Sequence, residues 1–491
     1  MQRKVVKKSI KKNAILNIIK SAMSIIFPLI TFPYVSNILG VEELGKYNFA
    51  FSINNYLLMI AALGIATYAV REGAIIRDNS EKLNSFASEI YTINIISSLI
   101  AYGVMIISLI LVPKFHDYKI YILLFSLEIF FTTIGVEWIY NIFEEYTYIT
   151  IRRIAFQIIS MVFLFIFVKN DTDILKYIGI TVFANAGANI LNVINKRKYC
   201  SLSICFHGLR KHIKPIMIIF ASTLAVKIYT SSDVIMLGFL KDDQAVGLYS
   251  VAIKVYNVIK PLLSAVLIVA VPRLASYIGN KNRKEYLCLL EKIFNILVII
   301  VFPASVGIFM LSKQIILLLS NKSYLQAENS LKFLCIAIVF SLFSTFFNQC
   351  VLIPNKLEKK FLLATILSAT INICLNFILI VKYSHTGAAI TTVVAEFISM
   401  FMCYWGSKQA LEEVNYKEII LNVCSVIVGC ISICVVCTVI NKQNFSNTIN
   451  IIMAIVFSAI VYVLSLLLMK NKLVITMINQ QIKKLNSKKH Y

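Results

Sequence analysis

"LGVEELGKYNFAFSINN" (Leu39 to Asn55) is the stretch whose reading decides the fold. Its heart, Gly40 to Tyr47, satisfies G-x-x-x-x-G-K, the opening of a nucleotide-binding P-loop, but Tyr47 stands where Ser or Thr would hold magnesium. A P-loop also needs a β-strand before it and a helix behind it whose N-terminus meets phosphate. Here both flanks are apolar runs long enough to cross a bilayer. The stretch is a turn between two membrane helices, and ATP binding is set aside.

A second copy of the turn follows in "LGFLKDDQAVGLYSVAIKVYN" (Leu237 to Asn257). Gly45, Tyr47, Ala50 and Asn55 recur as Gly247, Tyr249, Ala252 and Asn257, and Arg71 recurs as Arg273, all 202 residues on. Six apolar runs separate the copies, so both run in the same direction. That is a parallel repeat about an axis along the membrane normal, a layout found in transporters.

Composition agrees. The chain has 491 residues, 59% hydrophobic and 15% charged, with a mean hydropathy of +0.79. A soluble domain is nearer half apolar and a quarter charged. Fourteen runs are predicted to span: 14–39, 46–70, 89–112, 118–142, 148–168, 173–195, 214–240, 245–271, 287–311, 328–352, 361–381, 386–406, 417–440 and 448–469. The short turns after Gly40 and Lys382 are where two spans merge most readily. With the N-terminus inside, the inner segments hold 33 Lys/Arg and the outer turns 10, as the positive-inside rule requires. The net charge of +24 thus sets orientation and contact with anionic lipid. No basic domain stands apart from the membrane to bind nucleic acid. The start, "MQRKVVKKSIKKN", lacks a small-residue cleavage site and reads as a cytoplasmic segment. Both termini are therefore expected to be cytoplasmic. Of the eleven cysteines, Cys430, Cys434 and Cys437 share a helical face without His or carboxylate, which points to packing and no metal.

Ionisable groups inside spans are the functional candidates. Five lysines fall there: Lys20, Lys227, Lys254, Lys260 and Lys332. Lys227 shares a helical stripe with Thr223, Thr230 and Ser231, and Lys254 one with Asn257, Pro261 and Ser264. Stripes of this kind are expected to face a cavity, where basic groups suit a diphosphate. Lys20 and Lys260 either join them or snorkel to an interface, and Lys332 snorkels. Arg71 and Arg273, at inner span ends, either meet phosphate or act as anchors. The carboxylates Glu128, Glu137, Asp233 and Glu396 either pair with the lysines or bind a coupling proton or sodium ion. Pro28, Pro33 and Pro261 permit bends.

The stretch from Phe27 to Asn79, opening "FPLITFPYVSNILGVEELGKYNFAFSINN", resembles the start of the Wzx-type polysaccharide-unit flippases. "GVEWIYNIFEEYTYITIRR" (Gly135 to Arg153) resembles their second signature, with Asn141 and Ile142 where the family usually carries Gln-Gly. The resemblance implies the fold of the multidrug/oligosaccharidyl-lipid/polysaccharide exporter superfamily: all-α, two six-helix lobes (1–212 and 213–406) around a cavity, then two further helices and a basic tail (407–491). It implies a bacterial cytoplasmic membrane, a lipid-linked oligosaccharide as cargo, no cofactor, and polysaccharide polymerase machinery as a neighbour. Two rivals remain open. A multidrug exporter of the same superfamily needs no basic cavity. A membrane glycosyltransferase or polymerase needs a sizeable loop, and the longest outer one here is 312–327.

Overall fold

The computed structural model describes residues 10–413, 416–443, 445–476 and 479. The basic segment 1–9 and most of the tail lie outside the described residues, and with them the two ends expected in the cytoplasm. Among the described residues every regular element is a helix. The chain divides into two compact units, Met1–Gly247 and Leu248–Tyr491.

The first unit opens with α1 (Ile10–Ala62), an unbroken run of 53 residues containing one left-handed residue, Gly40 at φ 72°. As a straight rod it would hold Lys20 and Ala62 about 63 Å apart. Yet Lys20 lies 3.8 Å from Glu137, and Glu137 and Ala62 line one cavity. The chain therefore folds back at Gly40, where glycine alone adopts the turn without strain. There follow α2 (Ile65–Ile76), α3 (Ser80–Leu111), α4 (Lys119–Gly135), α5 (Glu137–Ile142), α6 (Tyr146–Phe167), α7 (Ile174–Val182), α8 (Ala188–Asn195) and α9 (Arg210–Leu240). Asn79 caps α3 by accepting from the Lys82 amide, with Glu81 in the first turn favouring the helix dipole.

The second unit holds most of α10 (Asp243–Gly279), then α11 (Arg283–Met310), α12 (Ser312–Leu319), α13 (Ala327–Phe346), α14 (Glu358–Ser407), α15 (Tyr416–Asn441) and α16 (Asn447–Leu468). In α14 the reversal is at Ser384, φ 52°. A side chain at Gly387 would strike the Leu379 carbonyl, although eight residues of straight helix would part them by about 12 Å. Eleven segments of the described residues are long and apolar enough to cross a membrane, and Ile19–Ile76 and Glu358–Leu411 are each long enough for two. Fourteen does not emerge as a count, for a physical reason. Turns of a single residue fuse neighbouring spans, while Val136 splits the expected span 118–142 into α4 and α5. Cys430 and Cys437 are buried, with the Cys437 Sγ 3.5 Å from Ser458 Oγ on α16.

The opening turn owes its glycine to packing. A Cβ on Gly45 would overlap the Asp243 carbonyl, and one on Gly247 would overlap the Val41 carbonyl. Residues 41 and 243 are themselves 202 apart, so the two turns meet reciprocally. Lys46, the would-be phosphate lysine, is held by Glu42 at 3.1 Å and Glu43 at 2.7 Å within its own turn. The repeat also carries side-chain contacts. Tyr47 bonds Thr181 in the first unit, and Tyr249 bonds Thr392 in the second.

Within the first unit, α9 is tied down at its start. His212 lies between the Tyr68 hydroxyl at 2.8 Å and Glu89 at 2.6 Å, both buried. The preceding chain runs along α3, its Ser201, Ser203 and Cys205 amides donating to Asn84, Ser88 and Thr92. Alternate residues of an extended chain thus match successive turns of a helix.

Candidate functional site: a cavity within the first unit

A cavity of about 420 Å³ lies inside the first unit, between α1, α2, α3, α4, α5, α6 and the segment from Asn185 to Asn189 that leads into α8. At one end is Glu128 on α4, 2% exposed. Its carboxylate accepts from the Asn54 amide at 3.0 Å and from the Asn185 amide at 2.8 Å. Among the described residues no cation pairs with it. Asn185 sits in a π-helical turn, Phe183–Gly187, that joins α7 to α8. The extra residue in such a turn shifts the helical register, a feature common at functional sites. Here it accompanies the Asn185 bond to Glu128.

The other end is built from the stretch Gly135–Arg153. Val136 takes a left-handed conformation, φ 39° and ψ 47°, strained for a β-branched side chain, and breaks α4 from α5. Immediately after it, Glu137 and Trp138 line the cavity. Glu137 is paired with Arg152 at 2.7 Å and with Lys20 at 3.8 Å, and Arg153 lines the same end. The Arg152 guanidinium also lies 5.4 Å from the Tyr148 ring. Between the two ends the wall is mostly apolar: Leu58, Ala61, Ile65 and Ala188.

The second unit has its own buried carboxylate, Glu396 on α14. It accepts from the Tyr256 hydroxyl at 2.8 Å and from Lys260 at 3.2 Å, and Lys260 also donates to that hydroxyl at 3.1 Å. Tyr256 is the repeat counterpart of Asn54. Thr392 and Thr181, and likewise Glu396 and Asn185, differ by 211 in number. The same framework therefore recurs with its carboxylate moved to the position of Asn185 and given its own cation.

The remaining expected residues lie elsewhere. Lys227 and Asp233 are half-buried on α9, and the Tyr56 hydroxyl donates to the Lys227 carbonyl at 3.4 Å. Lys254 is half-buried on α10, and Arg273 is exposed further along it. Arg71 is exposed and paired with Glu72 at 2.8 Å. Lys332 is paired with Glu328 at 2.6 Å. Sequence reasoning missed Asn54, Asn185 and Arg152. Asn185, Asn189 and Asn192 fall at i, i+4 and i+7 in an apolar run, a stripe that could have been noticed. Arg152, at the start of the expected span 148–168 and counted there among the inner basic residues, is buried on α6 and paired with Glu137.

The family model described as polysaccharide biosynthesis protein matches residues 10–278, and one described as MatE matches residues 218–378. A putative O-antigen transporter of Escherichia coli (strain K12) is 24% identical over 394 residues, covering 79% of this chain and 94% of that protein. The capsular polysaccharide biosynthesis protein CapF of Staphylococcus aureus is 23% identical over 381 residues, covering 75% and 91%. Among solved structures, the lipid II flippase MurJ in an inward closed conformation aligns with a TM-score of 0.74 at 16% identity, over 94% of this chain and 100% of that one. The last likeness is one of fold.

Proposed function

Because the chain belongs to the polysaccharide biosynthesis protein family and is a Wzx-type flippase of the multidrug/oligosaccharidyl-lipid/polysaccharide exporter superfamily, a transporter rather than an enzyme, we propose that its cargo is an undecaprenyl-diphosphate-linked oligosaccharide repeat unit. It carries this cargo from the inner to the outer leaflet of a bacterial cytoplasmic membrane, for surface polysaccharide synthesis by a neighbouring polymerase. Both termini lie in the cytoplasm, and the working bodies are lobes 1–212 and 213–406, followed by the helices of 407–491. Lys227 and Lys254, with Arg71 and Arg273 at the inner span ends, neutralise the diphosphate as it leaves water.

The observation that carries the reading is Glu128, a buried carboxylate in an accessible cavity held by amides alone. Neutral donors stabilise a carboxylate without cancelling its charge, so the site accepts a proton or a sodium ion. Glu396 already has Lys260 and is spared that task. Cation exchange at Glu128 then couples an ion gradient to alternating access. Vesicles reconstituted with the purified protein and a labelled short-chain polyprenyl-diphosphate oligosaccharide test this. Label should cross under an ion gradient without ATP. Strict dependence on ATP, or transport of cationic amphiphiles in place of the labelled lipid, would overturn it.

A further inference from the structure

The cationic end of the first unit's cavity holds donors that the protein itself leaves unused. Arg152 is 5% exposed, and its hydrogen bond to Glu137 uses Nη2 alone. Its Nε and Nη1 have no hydrogen-bond partner, and neither does the indole Nε1 of Trp138. Both side chains line the cavity. Buried donors left unmade are costly, and proteins keep few of them. Charge points the same way. Lys20 and Arg152 share the single carboxylate of Glu137, and Arg153 lines the same cavity, so basic groups outnumber Glu137 there.

We infer that this end of the cavity is a binding site for a diphosphate group, gripped by Arg152 and bonded by the Trp138 indole. The inference rests on the reading of the cargo as diphosphate-linked, and it adds a site on α5 and α6 that the membrane lysines do not include. A diphosphate diester carries two negative charges, and its oxygens suit a planar guanidinium fork. The strained Val136 sets Glu137 and Trp138 at the cavity, and Glu137 orients Arg152 while competing for it. A sugar hydroxyl would answer the indole but not the charge, and a cationic amphiphile would answer neither. The same chemistry is offered by a lipid diphosphate and by free diphosphate.

The chain has two tryptophans, so Trp405→Phe leaves Trp138 as the sole indole reporter. Full-length protein in lipid nanodiscs would be titrated with farnesyl diphosphate, inorganic diphosphate and farnesol. Farnesyl diphosphate should change the Trp138 emission saturably, and farnesol should not. Arg152→Gln should weaken binding about ten- to a hundred-fold, the loss expected for charge-assisted bonds, with Arg152→Lys between. Glu137→Gln removes the competitor and should tighten binding. Equal saturation by inorganic diphosphate would assign the site to the free anion, and saturation by the farnesyl ester alone would assign it to lipid. Undiminished binding by Arg152→Gln, or Glu137→Gln weakening binding as much as Arg152→Gln does, would overturn the site. Either result leaves the transport reading to be judged separately, by vesicle transport.

Discussion

Replacing Glu128 separates its chemistry from its packing. Glu128→Gln keeps shape and volume but removes the charge. The new amide can accept from Asn185 as before, while its NH₂ would face the NH₂ of Asn54. Asn54 Oδ1 has no hydrogen-bond partner, so a half-turn of that amide brings an acceptor into place. The structural cost of Glu128→Gln should therefore be small, below about 1 kcal/mol. Glu128→Ala is different. It strands both amides, but Asn185 is exposed and can turn to water, whereas Asn54 is fully buried. One stranded buried amide costs about 1–3 kcal/mol. Thermal melting in detergent should thus leave Glu128→Gln near the parent and lower Glu128→Ala clearly. Transport in vesicles should fail in both, because neither variant can exchange a cation. Gradient-driven transport by a well-folded Glu128→Gln at the parental rate would refute the coupling argument, whatever its melting temperature.

Gly45→Val or Gly247→Val drives a side chain into a main-chain carbonyl that cannot swing aside, and should cost about 1–3 kcal/mol in the melt. Gly103→Ala, with nothing near its Cβ, should cost nothing measurable. Lys46→Ala should leave transport intact, since Lys46 serves only its own turn. Lys227→Gln and Lys254→Gln should each lower surface polysaccharide in a complemented deletion strain, at equal protein in the membrane, by about ten- to a hundred-fold in cargo affinity. Full activity of the double variant would end their proposed role. In a chain cleared of its eleven cysteines, single cysteines at Asn79 and Lys356 should resist impermeant thiol reagents in intact cells, while one at Asp242 should label. The reverse pattern would invert the orientation.

What the sequence could reveal followed from period and charge. Apolar length marked the helices, and the offset of 202 linked the turns at Gly45 and Gly247 without coordinates. The helical reversals at Gly40 and Ser384 were also visible as interruptions, because each needs a residue that breaks an apolar run. The site was less legible. The pair Lys260–Glu396 joins residues 136 apart, and nothing local distinguishes a paired lysine from one facing a cavity. The π-turn at Asn185 depends on how neighbouring helices crowd α7, which no local propensity encodes. Arg152 was misplaced because counting basic residues at inner ends treats them all as solvated. One carboxylate fifteen residues earlier was enough to bury it.

The reciprocal meeting of the two turns has a consequence for what either can tolerate. Gly45 faces the Asp243 carbonyl and Gly247 faces the Val41 carbonyl, so each turn is the wall that forbids a side chain on the other. The obstacle in both cases is main chain, which every residue carries. No substitution in the facing turn can therefore relieve it, and the two glycines stay fixed by sterics whatever side chains surround them.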